Sequence, residues 1–76
     1  MNRTRRTHIK NLMDKLEQIK SEVEEVQDEE QESFDNMPES IQFGERGEAS
    51  EAAIDNLQSA FDELDEVLAY LEDALG

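Results

Sequence analysis

Residues 54–75 read IDNLQSAFDELDEVLAYLEDAL, and this stretch decides the fold. Its large apolar side chains recur at alternating steps of three and four residues, which is a heptad repeat. They are Ile54, Leu57, Phe61, Leu64, Leu68, Leu71 and Leu75. A helix with this repeat keeps its apolar seam on one side only when it winds slightly around a neighbouring helix. The stretch therefore predicts both a helix and a helical partner for it.

The N-terminal third of the chain carries the same repeat and supplies that partner. Its seam residues are Ile9, Leu12, Leu16, Ile19, Val23 and Val26. The next seam position falls on Glu30, and apolar residues return only at Phe34 and Met37. We interpret this spacing as a stutter, after which the seam drifts and Glu30 faces water. The alternative is a buried Glu30 that fixes the register of the two helices.

One proline and two glycines mark the connection between the helices. Because the residue before a proline is disfavoured in the α region, the first helix should end just before Pro38. The prediction is an all-α antiparallel hairpin in one domain, with a helix of about 4–36, a linker of 37–47 and a helix of about 48–75. The linker is too apolar to be merely solvated, so we expect it to fold over the end of the hairpin. The side chains of this linker cap are Phe34, Met37, Ile41 and Phe43.

A second apolar row widens the stripe on the C-terminal helix, one place before four of its seam residues. It is formed by Ala53, Ala60, Val67 and Ala74, which we call the alanine edge. Small side chains let another helix approach closely, and a chain of 76 residues buries only a modest core by itself. Two hairpins around a twofold axis would bury this edge in a four-helix bundle, so we expect a homodimer. Tyr70, at the margin of the stripe, is expected to be half-buried.

The net charge of −14 is unevenly distributed. Residues 1–20 have a balance of +4, whereas residues 21–76 have a balance of −18. This acidity disfavours direct contact with nucleic acid or anionic lipid and favours a protein partner with a basic surface. The candidate acidic partner face on the second helix consists of Asp55, Asp62, Asp65, Glu66, Glu72 and Asp73.

The chain offers little for catalysis or metal binding. It has no cysteine, and His8 is its one histidine. The acidic run at 28–35 lacks the glycine and glutamate spacing of an EF-hand loop, so we expect no metal, no cofactor and no enzyme activity.

No apolar run approaches the ~20 residues of a membrane span, and residues 9–19 alternate apolar with polar, unlike a signal peptide. The expectation is a soluble, cytoplasmic protein.

The centre of the chain reads DNMPESIQ at 35–42, RGE at 46–48 and AIDNL at 53–57. Around these motifs the sequence resembles a group of small acidic helical proteins from bacteriophages and prophages of Gram-positive bacteria. The resemblance spans most of the chain, although the group commonly has a polar residue at the position of Phe43. It implies a phage or mobile-element protein in a bacterial host cell. No function is attached to the group, so no site residues carry over.

Two functions follow as hypotheses. The first is a dimeric acidic helical module that binds another protein without catalysis. The second is a DNA mimic, whose carboxylates stand in for phosphates and inhibit a host nucleic-acid-binding or defence protein. A mimic should lose its partner steeply as salt rises, whereas an interface built on apolar side chains should not.

Overall fold

Three helices make up the chain in the computed structural model, which describes all 76 residues. Helix α1 spans Arg3–Asp35, α2 spans Glu39–Gln42 and α3 spans Glu45–Leu75. The two long helices pack against each other and form a rod of 58 × 15 × 12 Å. The predicted all-helical hairpin is therefore confirmed.

Local sequence signals define the helix ends. The side chain of Asn2 caps α1, because its Oδ1 accepts a hydrogen bond from the backbone N–H of Arg5 at 2.8 Å. At the C-terminus, Gly76 has a φ of 84°, the left-handed conformation that ends many helices at glycine. Helix α3 begins at Glu45, earlier than the predicted 48, since Gly44 serves as its extended N-cap residue. The linker is correspondingly shorter and contains the single turn α2.

The heptad repeat of α1 runs without interruption, so the predicted stutter is wrong. The α1-side residues that are half-buried recur at steps of three and four: Arg6, Ile9, Met13, Leu16, Lys20, Val23, Gln27, Glu30, Phe34 and Met37. The α3 seam is equally regular and comprises Gly47, Ser50, Ile54, Leu57, Phe61, Leu64, Leu68, Leu71 and Leu75, all buried or half-buried. Leu68 is the most buried apolar side chain, at 7% exposure.

This register moves three predicted seam residues out of the seam. Leu12, Ile19 and Val26 are 37%, 46% and 51% exposed, because α1 presents the following residue to α3 instead. After Ile19 the following residue is Lys20, and after Val26 it is Gln27. Their aliphatic stems fill the space between the helices while their polar ends reach the rim. Only this rotation of α1 keeps Phe34 in the same continuous repeat.

The linker cap is correct in part. Phe34, Met37 and Ile41 are half-buried, but Phe43 is 81% exposed and does not cover the hairpin end. The turn of α2 directs its residues Ile41 and Gln42 inward, and the Gln42 amide donates a hydrogen bond to the carbonyl of Phe34 at 2.9 Å. Phe43 follows the last residue of this turn and is left facing solvent.

Candidate interaction surfaces

The register of the seam gives the hairpin two different long edges. In an antiparallel helix pair, side chains that flank the seam on one side in α1 lie beside the equivalent side chains of α3. We call the first edge the polar edge: Lys10, Glu17, Glu24, Gln31, Glu51, Gln58, Asp65 and Glu72. We call the second the apolar edge: Leu12, Ile19, Val26, Ala53, Ala60, Val67 and Ala74.

Contacts across the polar edge fix the alignment of the helices. The Lys20 ammonium lies 2.5 Å from a carboxylate oxygen of Asp65 and 4.8 Å from the centroid of the Phe61 ring. Further along, the Gln27 amide donates a hydrogen bond to Gln58 at 2.8 Å. The hydrogen bond to Asp65 raises the pKa of Lys20 above its ordinary value of 10.5. Lys20 thus combines an ion pair with a cation–π contact at mid-hairpin.

Two shallow grooves open on this polar edge. One is lined mainly by Glu24, Asp28, Gln31 and Gln58, and the other by Gln31, Glu51 and Asp55 with apolar side chains at its base. No three acidic or histidine side chains converge as metal ligands. The lining is open and polar, and two of its side chains bond to each other, since Gln27 donates a hydrogen bond to Gln58 at 2.8 Å. These grooves are the rim of the helix interface.

The apolar edge remains open to water in a single hairpin. Val67 is 42% exposed, comparable to Leu12, Ile19 and Val26 on the opposite helix. Ala53 and Ala60 are half-buried, and Ala74 is exposed. The row on α3 alone is about 30 Å long at ~1.5 Å per residue. The alanine edge predicted from the sequence is thus half of a larger surface, to which α1 contributes its bulkiest side chains.

The candidate acidic face lies away from the apolar edge. All six of its residues are exposed, on the polar edge and the outer side of α3: Asp55, Asp62, Asp65, Glu66, Glu72 and Asp73. Two of them have partners within the chain. Asp65 pairs with Lys20, and Asp62 accepts a hydrogen bond from Gln58 at 3.1 Å. The other four carboxylates form no ion pair within the chain.

A polar pair lies inside the seam, in agreement with the alternative interpretation of Glu30. Ser50 is 4% exposed and donates a hydrogen bond from its hydroxyl to a Glu30 carboxylate oxygen at 2.7 Å. Glu30 therefore faces α3, and the interpretation that it turns toward water is wrong. The sequence contained a sign of this polar pair, because Ser50 occupies a seam position of α3, four residues before Ile54. A charged layer in an apolar seam selects one alignment of the two helices.

The open end of the hairpin carries a cross-chain contact as well. The Arg6 guanidinium donates a hydrogen bond to the backbone carbonyl of Leu75. The last carbonyls of a helix have no partner within the helix, so a cation placed there satisfies one and complements the helix dipole. The basic start of α1 is thereby held at the acidic end of α3, as the antiparallel prediction requires.

Two aromatic side chains are largely free. Phe43 is 81% exposed at the turn end, and Tyr70 is 74% exposed near the open end. The prediction of a half-buried Tyr70 is wrong, because the seam of α3 turns it outward, beyond the apolar edge. His8 is exposed on the first turns of α1.

Comparison with known protein families, with curated proteins and with solved structures finds no match to this chain. Neither long helix has an apolar stretch that could span a bilayer. The hairpin thus offers three kinds of surface for a partner: the two edges, the acidic outer side of α3 and the exposed aromatic side chains.

Proposed function

We propose that this chain is a non-enzymatic helical interaction protein that acts as a homodimer, an acidic four-helix bundle that binds another protein. The apolar edge is the observation that carries the proposal. Contiguous apolar surface on a small protein marks a site of association. Two hairpins placed face to face bury both edges and provide the core that one hairpin lacks.

The size of the apolar edge limits the area that a dimer can bury. It is about 30 Å long, and the rod is 15 Å wide, so two copies bury on the order of 1,000 Å² in total. This is close to the minimum for a specific interface. We therefore expect a reversible dimer that dissociates on dilution.

Sedimentation equilibrium tests the dimer directly. The monomer mass is 8.7 kDa, and the dimer is expected at about 17 kDa at high micromolar concentration. Val67→Asp places a charge on the apolar edge and should yield monomers that remain helical, because Val67 is 42% exposed in the hairpin. The matched control is Ser59→Asp, on the outer side of the same helix. A monomer mass for the unmodified chain at about 200 μM contradicts the proposal.

The binding surface for another protein is the part that the dimer leaves exposed. It combines the acidic outer side of α3 with Phe43, whose exposure gives a partner an aromatic anchor. The expected partner is a protein with a basic surface. The resemblance to phage and prophage proteins supports an accessory role in the cytoplasm of a bacterial host.

A DNA mimic is the second candidate, and the charge density favours it. A net charge of −14 along 58 Å is one charge per about 4 Å, and two copies side by side give one per about 2 Å. Duplex DNA carries about one charge per 1.7 Å. The dimer, unlike the monomer, thus approaches the linear charge density of the nucleic acid it would imitate.

Competition and salt separate the two candidates once a partner is captured. A mimic should release its partner when duplex DNA is added or when salt rises from about 0.1 M to about 0.5 M. It should also be weakened by Glu66→Gln and Asp73→Asn and be indifferent to Phe43→Ser. Binding through the aromatic anchor should show the opposite pattern, with loss on Phe43→Ser and tolerance of salt.

A further inference from the structure

We infer that the partner for the apolar edge is a second copy placed with α1 against α1 and α3 against α3, each pair antiparallel, about a twofold axis at Ile19. This inference rests on the proposed homodimer and specifies its geometry. Two face-to-face dimers are possible with twofold symmetry. In the other, the axis runs along the rod and α1 lies against α3 of the second copy.

The spacing of the apolar edge has the symmetry that this axis needs. On α1, Leu12 and Val26 lie seven residues to either side of Ile19. An antiparallel copy therefore sets Leu12 against Val26 and Ile19 against itself. On α3 the row is centred between residues 63 and 64, so Val67 meets Ala60, a large side chain against a small one. Such alternation lets two helices interlock closely.

The two centres also lie at the same height in the hairpin. Lys20, adjacent to Ile19, pairs with Asp65 and covers the ring of Phe61. The level of Ile19 on α1 therefore corresponds to residues 61–65 on α3, which bracket the centre of the α3 row. One twofold axis can serve both helices only if their centres coincide in height. The register of the hairpin, set by different residues, meets this condition.

Charge along the outer flank of α1 distinguishes the two dimers. Beside the apolar edge, at seven-residue intervals, stand His8, Lys15, Glu22 and Glu29. Lys15 is the cation of this row, and its two carboxylates lie on the other side of Ile19. The axis at Ile19 places Lys15 of each copy against Glu22 of the other, so this contact occurs twice in the dimer. It also places His8 against Glu29 of the second copy.

The alternative dimer has less of this complementarity. With the axis along the rod, the basic first half of α1 lies beside the acidic second half of α3 of the second copy. Both turn ends coincide, however, and the acidic residues 22–35 of α1 gather beside the acidic first half of α3 from both copies. The inferred dimer instead places the basic first half of α1, with a balance of +4 over residues 1–20, against residues 22–35 of α1 of the second copy. Glu63 then meets its own copy near the axis, a local repulsion that is exposed to solvent and screened by salt.

A single engineered cysteine tests this geometry, because the chain has no cysteine of its own. Ile19→Cys should form a disulfide-linked dimer under mild oxidation, since the axis brings the two copies of this residue together. The hairpin tolerates the change because Ile19 is 46% exposed. Gln18→Cys is the matched control, adjacent in sequence but on the outer side of α1, and should give little linked dimer.

The possible outcomes distinguish a failure of the inferred geometry from a failure of the proposed homodimer. Linked dimer from Ile19→Cys but not Gln18→Cys supports the axis. The protein could instead be dimeric by sedimentation while Ile19→Cys forms a disulfide only when mixed with Ala60→Cys. In that case α1 lies against α3 of the second copy. The inferred geometry is then wrong, but the homodimer remains supported. Equal linkage at both positions reflects collision and also overturns the inference. A monomer mass removes both the geometry and the proposed dimer.

Charge reversal gives an independent readout. Glu22→Lys alone should weaken the dimer roughly threefold to tenfold, because the introduced ammonium would face Lys15 of the second copy at two places. Adding Lys15→Glu to Glu22→Lys should restore the original dissociation constant. In the alternative dimer, Glu22→Lys brings a cation near Glu63 of the second copy. Tighter association of the Glu22→Lys single variant would therefore overturn the inference.

Discussion

Replacing Gly47 with alanine is expected to destabilise the hairpin, although alanine is the better helix former. Gly47 is buried in the first turn of α3, where α2 crosses closest to it. A Cβ built there lies 1.8 Å from the carbonyl oxygen of Gln42 and 2.6 Å from its Cα. Both atoms are backbone, so α2 as a whole must retreat by about 1.5 Å to reach ordinary contact.

The expected cost follows from opposing terms. Overpacking costs about 1 to 3 kcal/mol, and losing the Gln42 bond to the Phe34 carbonyl adds about 1 kcal/mol. Alanine returns at most about 1 kcal/mol through helix propensity. The net loss is about 2 kcal/mol, a decrease in Tm of about 10 °C for a domain of this size.

Thermal and urea unfolding followed by circular dichroism at fixed protein concentration measure this loss, because dissociation makes stability concentration-dependent. Gly44→Ala is the control, since a Cβ at Gly44 has no neighbour nearer than 3.5 Å. It should change the free energy of unfolding by less than about 1 kcal/mol. If Gly47→Ala proves as stable as the unmodified chain, α2 does not pack against α3 and the account of the linker is refuted.

Three further predictions address the seam and the free aromatic side chains. Ser50→Ala should cost about 1 kcal/mol by urea unfolding, because it removes the bond to Glu30, whereas Ser59→Ala on the outer side should be neutral; equal effects would show that the pair contributes nothing. The pKa of Lys20 is raised in the folded state, so the stability from its pair with Asp65 is present below about pH 10.5 and is lost as pH rises through the folded-state pKa. Urea titrations between about pH 9 and pH 12 should show this loss in the unmodified chain and not in Lys20→Met, and identical slopes would exclude it. Phe43→Ser should change the free energy of unfolding by less than about 0.5 kcal/mol, because the ring is 81% exposed, and a loss above about 1 kcal/mol would place the ring in the core.

The regular spacing of Leu, Ile and Phe made the fold predictable. Periodicity is a local property, and residues 54–75 carry it without ambiguity, so a long helix with a helical partner followed directly. The end of α1 was also readable, because Pro38 predicted it to within about one residue. The start of α3 was less accurate, because the single turn α2 is stabilised by packing on α3 and has little sequence signal of its own.

The α1 seam shows where sequence reasoning failed. Leu12, Ile19 and Val26 are more apolar than Met13, Lys20 and Gln27, so hydrophobicity alone favoured them for the interface. The second set can occupy the interface because Met13 is apolar, while Lys20 and Gln27 bury their stems and keep their polar ends at the rim. That choice places Glu30 opposite Ser50 and leaves three large apolar side chains in water.

The sequence by itself determined that this chain forms two long amphipathic helices, strongly acidic beyond residue 20, joined at a proline and two glycines. Those properties depend on neighbours within a few residues. The tertiary structure decided which stripe of α1 faces α3, because a small rotation of α1 replaces Leu12, Ile19 and Val26 at the interface with the residues that follow them. It thereby joined the alanine edge to Leu12, Ile19 and Val26 in a single apolar surface, which no local pattern reveals since its two halves lie about forty residues apart.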